Sequence, residues 1–385
     1  MKYQLQRPCM NASMGFAYRK KSLSDCCFKS ICSALLAAVL HIASALATPS
    51  PEFNVGPREV VATKAQRDAL GLKWFMDGTL GAMKSGDEVQ LYGANGSKPV
   101  RVTGTPQNPL HKVDRVMIST SNRDFRYLSG GPIFVDPQSK RIFLFYHAEI
   151  HRGTEKNFYS VLGLSVQTDE KGLEFTDLGP IFMANVSNEK ALGAVEECGA
   201  PYIIKEGYFY VYARDKMSDG NLRVSNLSVA RAKVADVVQA GLKGRNVEWR
   251  KYCNQTFSEP ATGGKSTPLE KGNPGTRWMD MSYNTVLKKY IMVVAANTWP
   301  AKVELFMTCS DDGIVWSERK KLASENGESF YPSILGFRKD SRQTGAEFYI
   351  YYTYSRKGGW GRWEDAVIAR RRISIADDRC KMGLH

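Results

Sequence analysis

The sequence predicts an all-β protein, a five-bladed β-propeller, and three observations predict it. Five similar units recur between residues 74 and 375, each an inner apolar run, a turn, an aromatic-rich second run, a loop and an outer run. The runs are short, rich in Ile, Val, Tyr and Phe, and broken by Gly, Lys-Glu-Gly or Asp-Pro turns, the pattern of strands joined in hairpins. Convincing helical periodicity is scarce, and a repeat of about 50–70 residues carrying several strands fits a propeller blade.

The first unit is the most diverged: "DGTLGAMKSGDEVQLYGANG" (77–96), then an outer run placed at 115–128. The second is "GGPIFVDPQSKRIFLFYHAE" (130–149), then 161–179. The third is "GAPYIIKEGYFYVYARD" (199–215), then 226–234. The fourth is "DMSYNTVLKKYIMVVAAN" (280–297), then 303–322; the fifth combines 330–337, 347–355 and 365–374. One short helix is expected within "KVADVVQAGL" (233–242). The turn "DDGIVW" (311–316) has the form Asp-x-Gly-x-x-Trp, in which the Asp caps backbone amides and the Trp packs between strands. Trp316 and Trp249 are therefore core candidates.

Residues 48–385 read as one domain, with 48–73 helping to close the ring. Residues 1–47 read as an export leader: Arg19, Lys20 and Lys21, then the apolar "CSALLAAVLHIASALA", ending in Ala45-Leu46-Ala47. That apolar run is shorter than the ~20 residues of a spanning helix. A secreted or periplasmic monomer, free of the membrane after cleavage, is expected. Cleavage leaves Cys198, Cys253, Cys309 and Cys380, enough for two bridges by any of three pairings and without zinc spacing. The net charge is +14. It is scattered rather than blocked, and no nucleic-acid motif accompanies it, which argues against a nucleic-acid partner.

In a propeller the inner strands line an axis, and ligands bind where those strands begin. The positions just ahead of the inner strands hold Asp77, Glu197 with Glu196, Asp280 and Glu328. Carboxylates that converge shift one another's pKa and separate into acid and base, which is what glycoside hydrolysis needs. In "FYHAEIHRG" (145–153), His147, Glu149 and His151 alternate and so share one strand face. They offer either a metal site or, the preferred reading, donors to sugar hydroxyls at the mouth. Trp74 and Trp278 lie within three residues of a mouth acid and suit the C–H faces of sugar rings; Tyr331, Trp299 and Trp360 are further aromatic candidates, and Arg214 a polar one.

These units resemble the five-bladed propeller superfamily of arabinanases, β-xylosidases, levansucrases and invertases over roughly residues 74–375. "WFMDG" (74–78) is similar to the tryptophan-led Asp motif of the fructan-acting branch, and "EEC" (196–198) to its Glu-Cys motif. The resemblance implies Asp77 as nucleophile or base and Glu197 as acid. The superfamily's blade-two Asp is replaced by Gly130 and Gly131, and Asp280 is taken as its substitute. It implies an oligo- or polysaccharide substrate, no required cofactor, and room for an axial calcium ion. The alternative expectation is a carbohydrate-binding propeller without catalysis.

Overall fold

The computed structural model of the protein describes residues 53–218, 225–270, 275–298, 302–336, 340, 342–358 and 363–375. All belong to the unit Ser50–His385. The expected leader, Trp299, Trp360 and Cys380 lie outside the described residues.

Five antiparallel sheets follow one another along the chain. Blade I is Gly81–Ser85, Glu88–Asn95, Lys98–Gly104 and Lys112–Arg115. Blade II places Phe125–Ser129 and Ile133–Val135 end to end as a split inner strand, both paired to Ile142–His151, then Phe158–Gln167 and Glu174–Phe182. Blade III is Tyr202–Lys205, Tyr208–Asp215, Asn226–Lys233, Arg250–Cys253 and Thr256–Pro260. Blade IV runs from Thr276–Asn284 through Lys289–Thr298 and Lys302–Ser310 to Lys320–Lys321. Blade V holds Glu328–Gly336, Glu347–Ser355 and Ala366–Ile375.

One sequence boundary is corrected. The stretch 115–128 does not supply the outer run of blade I. That run is Lys98–Gly104 with Lys112–Arg115, while Met117–Ser119 pairs with Glu174–Thr176 and Phe125–Ser129 pairs with the second strand of blade II. The true outer strands carry few aromatics and alternate Lys or Arg with Val, so they lack the signature that marks the other blades.

Hydrophobic packing shows that the blades close into a ring. Tyr92 of blade I packs with Ile133, Leu144 and Phe175 of blade II. Phe145 and Leu164 of blade II pack with Tyr202 and Phe209 of blade III. Blades III, IV and V share Tyr212, Val293 and Tyr352, and blade V returns Leu335, Tyr351 and Ile368 to Leu80 and Leu91 of blade I. The blade V sheet is completed from the other end of the domain: Phe53–Val55 and Glu59–Ala62 both pair antiparallel with Ala366–Ile375. The lead-in therefore does close the ring.

A short helix, Lys64–Ala69, follows, started by a capping box between Thr63 and Gln66. It carries the fully buried Arg67, which donates to the carbonyls of Lys73 (2.5 Å), Ala366 (2.8 Å) and Trp363 (3.0 Å). The expected helix at 233–242 forms as Val234–Gly241. In the 311–316 turn, Asp312 rather than Asp311 accepts the amides of Ile314 and Val315, both at 2.8 Å, and Asp311 pairs with Lys289 at 2.6 Å. Trp249 is buried and Trp316 packs edge-on against Tyr212. The described cysteines, 198, 253 and 309, are unbridged.

Arg67 fastens both ends of the domain with charge-assisted bonds. Arg67→Met should lower unfolding free energy by about 2–4 kcal/mol, read from urea denaturation, because several buried carbonyls lose their donor.

Candidate functional site

Antiparallel order puts the start of each inner strand and the end of each second strand on one face. Asp77, Glu196, Trp278 and Tyr331 therefore meet the His147–His151 end of blade II. The Asp77 carboxylate accepts from the Tyr127 hydroxyl at 2.9 Å and from Tyr331. Burial raises its pKa, and those two hydrogen bonds, Tyr331 first, pull it back toward the charged form. Tyr127 stands edge-on to His147, and Tyr331 edge-on to Trp278 with centroids 4.8 Å apart. Burial, and then the Asp77 charge, push both phenols well above their ordinary range.

Glu196 enters from blade III. Its Oε1 accepts the Cys198 amide at 2.6 Å and lies 3.9 Å from His147 Nδ1. Burial raises its pKa, His147 opposes that, and Glu149 reinforces it. Tyr331 also feels the Glu196 charge, and both Asp77 and Glu196 feel His147 and Glu149. Glu149 is clasped by His147 Nε2 at 3.3 Å and His151 Nε2 at 2.7 Å, in keeping with the alternation that puts all three on one face.

His147 Nδ1 lies 2.9 Å from the Cys198 carbonyl, which can only accept, so Nδ1 carries hydrogen. A lone pair on Nε2 would then face the Glu149 carboxylate, and the imidazolium suits both neighbours. Burial lowers the His147 pKa, but Glu196 and then Glu149 outweigh it and hold it at about 9. Ligand atoms of His147, Glu149 and Glu196 lie within 4.8 Å of one another. The two carboxylates nevertheless flank opposite ring nitrogens, and Nδ1 is already engaged, so this donor set does not fit a calcium ion, which takes six to eight oxygens.

Two of the expected acids lie enclosed. Glu197 is 0% exposed, and neither carboxyl oxygen makes a hydrogen bond of good geometry. It lies between blades II and III, where burial drives its pKa well up against the field of Lys251. Successive side chains in extended chain point to opposite sides, so presenting Glu196 turns Glu197 inward. Cys198, at φ +67°, then redirects the backbone into the Gly199-Ala200-Pro201 step.

Asp280 is likewise 0% exposed, bonded to Arg342 Nη1 at 2.5 Å and to the Ile334 amide at 2.7 Å. Although burial works against it, Asp280 holds Arg342 above its ordinary range. This is an internal ion pair joining blades IV and V.

The remaining candidates separate. Trp278 is buried beneath the mouth with its ring over Gly199, where a Cβ would come within 3.2 Å of it. Below it the axial cavity is only about 10 Å³, lined by Gly130, Gly131, His147 and Ala200 among others. A Cβ at Gly131 would lie 2.9 Å from the Phe145 carbonyl oxygen, too close without a backbone shift, and one at Gly130 a tight 3.2 Å from the Gly93 carbonyl oxygen. Trp74 is 40% exposed, with Lys73 Nζ 4.8 Å from its ring centroid. The Glu328 carboxylate accepts the Val303 amide at 3.0 Å beside Lys302. Arg214 stands near Glu196 and Cys198. Tyr127 was missed, because its segment was given to the wrong blade; only the aromatic in "FRYL" marked it.

The structure is similar to solved glycoside hydrolases of the same fold. It aligns with the catalytic domain of a GH62 α-L-arabinofuranosidase from Coprinopsis cinerea at 8% identity and TM-score 0.53, covering 84% of this chain and 97% of that one. The α-L-arabinofuranosidase of Podospora anserina aligns at 9% identity and TM-score 0.51, covering 84% and 97%. A family 117 glycoside hydrolase of Zobellia galactanivorans aligns at 10% identity and TM-score 0.50, covering 87% and 95%. At these identities the likeness shows the five-bladed propeller fold alone. No family model matches the sequence, and neither does any curated protein.

Asp280→Asn should cost about 3–5 kcal/mol of stability, because it strands the Arg342 charge in the interior; calorimetry reads this directly. The His147 value lies above its unfolded value, so its stabilisation is complete below pH ~6.5 and lost as pH rises through about 9. The stability gap between the parent and His147→Gln should therefore shrink by on the order of 3 kcal/mol between pH ~6 and ~10, in denaturant titrations across that range.

Proposed function

We propose that this protein is an exported glycoside hydrolase whose acid and base are Glu196 and Asp77. One observation carries the reading: carboxyls from blades I and III, both desolvated, each feel His147 and Glu149, and Tyr331, bonded to Asp77, feels both charges. Two phenol donors favour the charged form of Asp77, which suits a base or nucleophile. Glu196 is pushed toward the protonated form by burial and by the nearby Glu149, which suits the donor of a proton to the leaving oxygen. In the reaction the glycosidic C–O bond breaks and Glu196 gives its proton to the departing alcohol; either water bonds to the anomeric carbon while Asp77 takes its proton, or Asp77 bonds to that carbon and water then displaces it, returning a proton to Glu196. His147, held cationic between Glu196 and Glu149, sets the charge balance of the acid. Trp74 supplies a flat face for a sugar ring. Export is supported by the basic and apolar leader pattern ahead of "TPSPEF".

A binding propeller that has lost catalysis would keep the platform without needing the acid. Glu196→Gln should lower kcat about 10²–10⁴-fold on alkyl glycosides and far less on dinitrophenyl glycosides, whose leaving group needs no proton. Glu197→Gln should leave kcat within about tenfold, since its carboxyl is enclosed. The opposite ranking would hand the acid role to Glu197, and a parent that binds oligosaccharides without cleaving any would favour the binding protein.

A further inference from the structure

The mouth carries more positive charge than an acid–base pair requires. Arg214 ends the second strand of blade III, and Arg277 begins the inner strand of blade IV; each is close enough to Glu196 to affect it or be affected by it. Most charged groups of the domain have settled partners. Arg152 is spent on the carbonyls of Asn188 and Ala191 and on Asn157, and Lys216 on those of Leu192 and Ala194.

The Arg214–Arg277 pair differs. Arg214 Nε is buried and makes no hydrogen bond, and its guanidinium lies beside the Cys198 thiol. Arg277 is exposed, and its Nε donates to a neutral group, Asn297 Oδ1, at 3.2 Å. Desolvation and then the Arg214 charge loosen the hold of Arg277 on its proton. The Glu196 charge is felt by Arg277 and the Arg214 charge by Glu196, and in the protonated form that donates to a leaving group Glu196 neutralises neither guanidinium. The same face continues basic: Lys302, Arg356 and Lys357 line an open cavity of about 350 Å³ with Glu328 at the start of blade V.

We propose that the substrate is an anionic glycan, whose carboxylate or sulfate is held by Arg214 and Arg277 on the sugar next to the bond that Glu196 protonates. Planar guanidiniums suit both oxyanions, and two of them around one oxyanion relieve their own repulsion. The proposal rests on the reading of Glu196 as the acid for its position, but not for its measurement.

Binding is to be measured by calorimetry with the Asp77→Asn protein, so that nothing is consumed, on two matched pairs. One is an oligogalacturonate and its carboxyl-reduced counterpart; the other is a chondroitin sulfate oligosaccharide and its desulfated counterpart. The charged member of at least one pair should bind about tenfold or more tightly, and the pair that shows this identifies carboxylate or sulfate. Arg277→Gln, an exposed change, should erase most of that preference, as should Arg214→Gln where it folds. Equal affinities within both pairs, a preference that survives Arg277→Gln, or no binding by any member overturns the proposal. Parent protein that cleaves neutral glycans with no charge preference sinks this inference alone. Charged-member binding that depends on Arg277, with no turnover by the parent, sinks the hydrolase reading and leaves this one standing.

Discussion

Everything at the mouth depends on the pairing of Phe53–Val55 and Glu59–Ala62 with Ala366–Ile375. Five twisted sheets share apolar layers with their neighbours, and a ring of such layers is as firm as its last joint. Here the joint is an antiparallel ladder between segments more than 300 residues apart, reinforced by Arg67 reaching the carbonyls of Trp363 and Ala366. With the ring closed, Asp77 and Glu196 are brought together although no local contact in the sequence joins them. An edge strand left open at Ala366–Ile375 would also be a template for unwanted pairing, so closure serves solubility as well as geometry.

The electrostatics of the mouth follow from desolvation more than from charge pairing. Acids placed where blades converge lose water, and each is then sorted by what it touches. Asp77 meets phenols, Glu196 meets an imidazolium and an amide, and Asp280 meets a guanidinium. The first two retain carboxyls whose protonation can change during a reaction. The third is tied to Arg342 and to the amides of Ile334 and Met281, contacts that hold two blades together. Residue type and position in the repeat were alike for all three; the partner decided the role.

That also explains how much was legible in the sequence. Blade number and most strand positions were legible because aromatic and β-branched runs mark hairpins locally. Blade I was misread where Lys and Arg alternate with Val and the aromatic mark is missing. Asp77 and the His147–Glu149–His151 face were legible from spacing, since alternation on a strand is a local rule. Whether Glu196 or Glu197 faces the axis was not, because it turns on the backbone at Cys198, whose φ of +67° no propensity would assign to cysteine. Asp280 could not be sorted without Arg342, a partner 62 residues away, and Tyr127 depended on knowing which blade its strand joins. The blade-two glycines sit in tight packing that only the structure reveals: a Cβ at Gly131 would press on the Phe145 carbonyl, and one at Gly130 would be tight against that of Gly93.

With Trp278 seated over Gly199, the hollow that it helps to line with Gly130, Gly131 and Ala200 is about the size of a single water molecule, too small for a sugar ring. A ligand that reached Trp278 from the mouth would rest on that ring as on a floor, and would leave by the way it came.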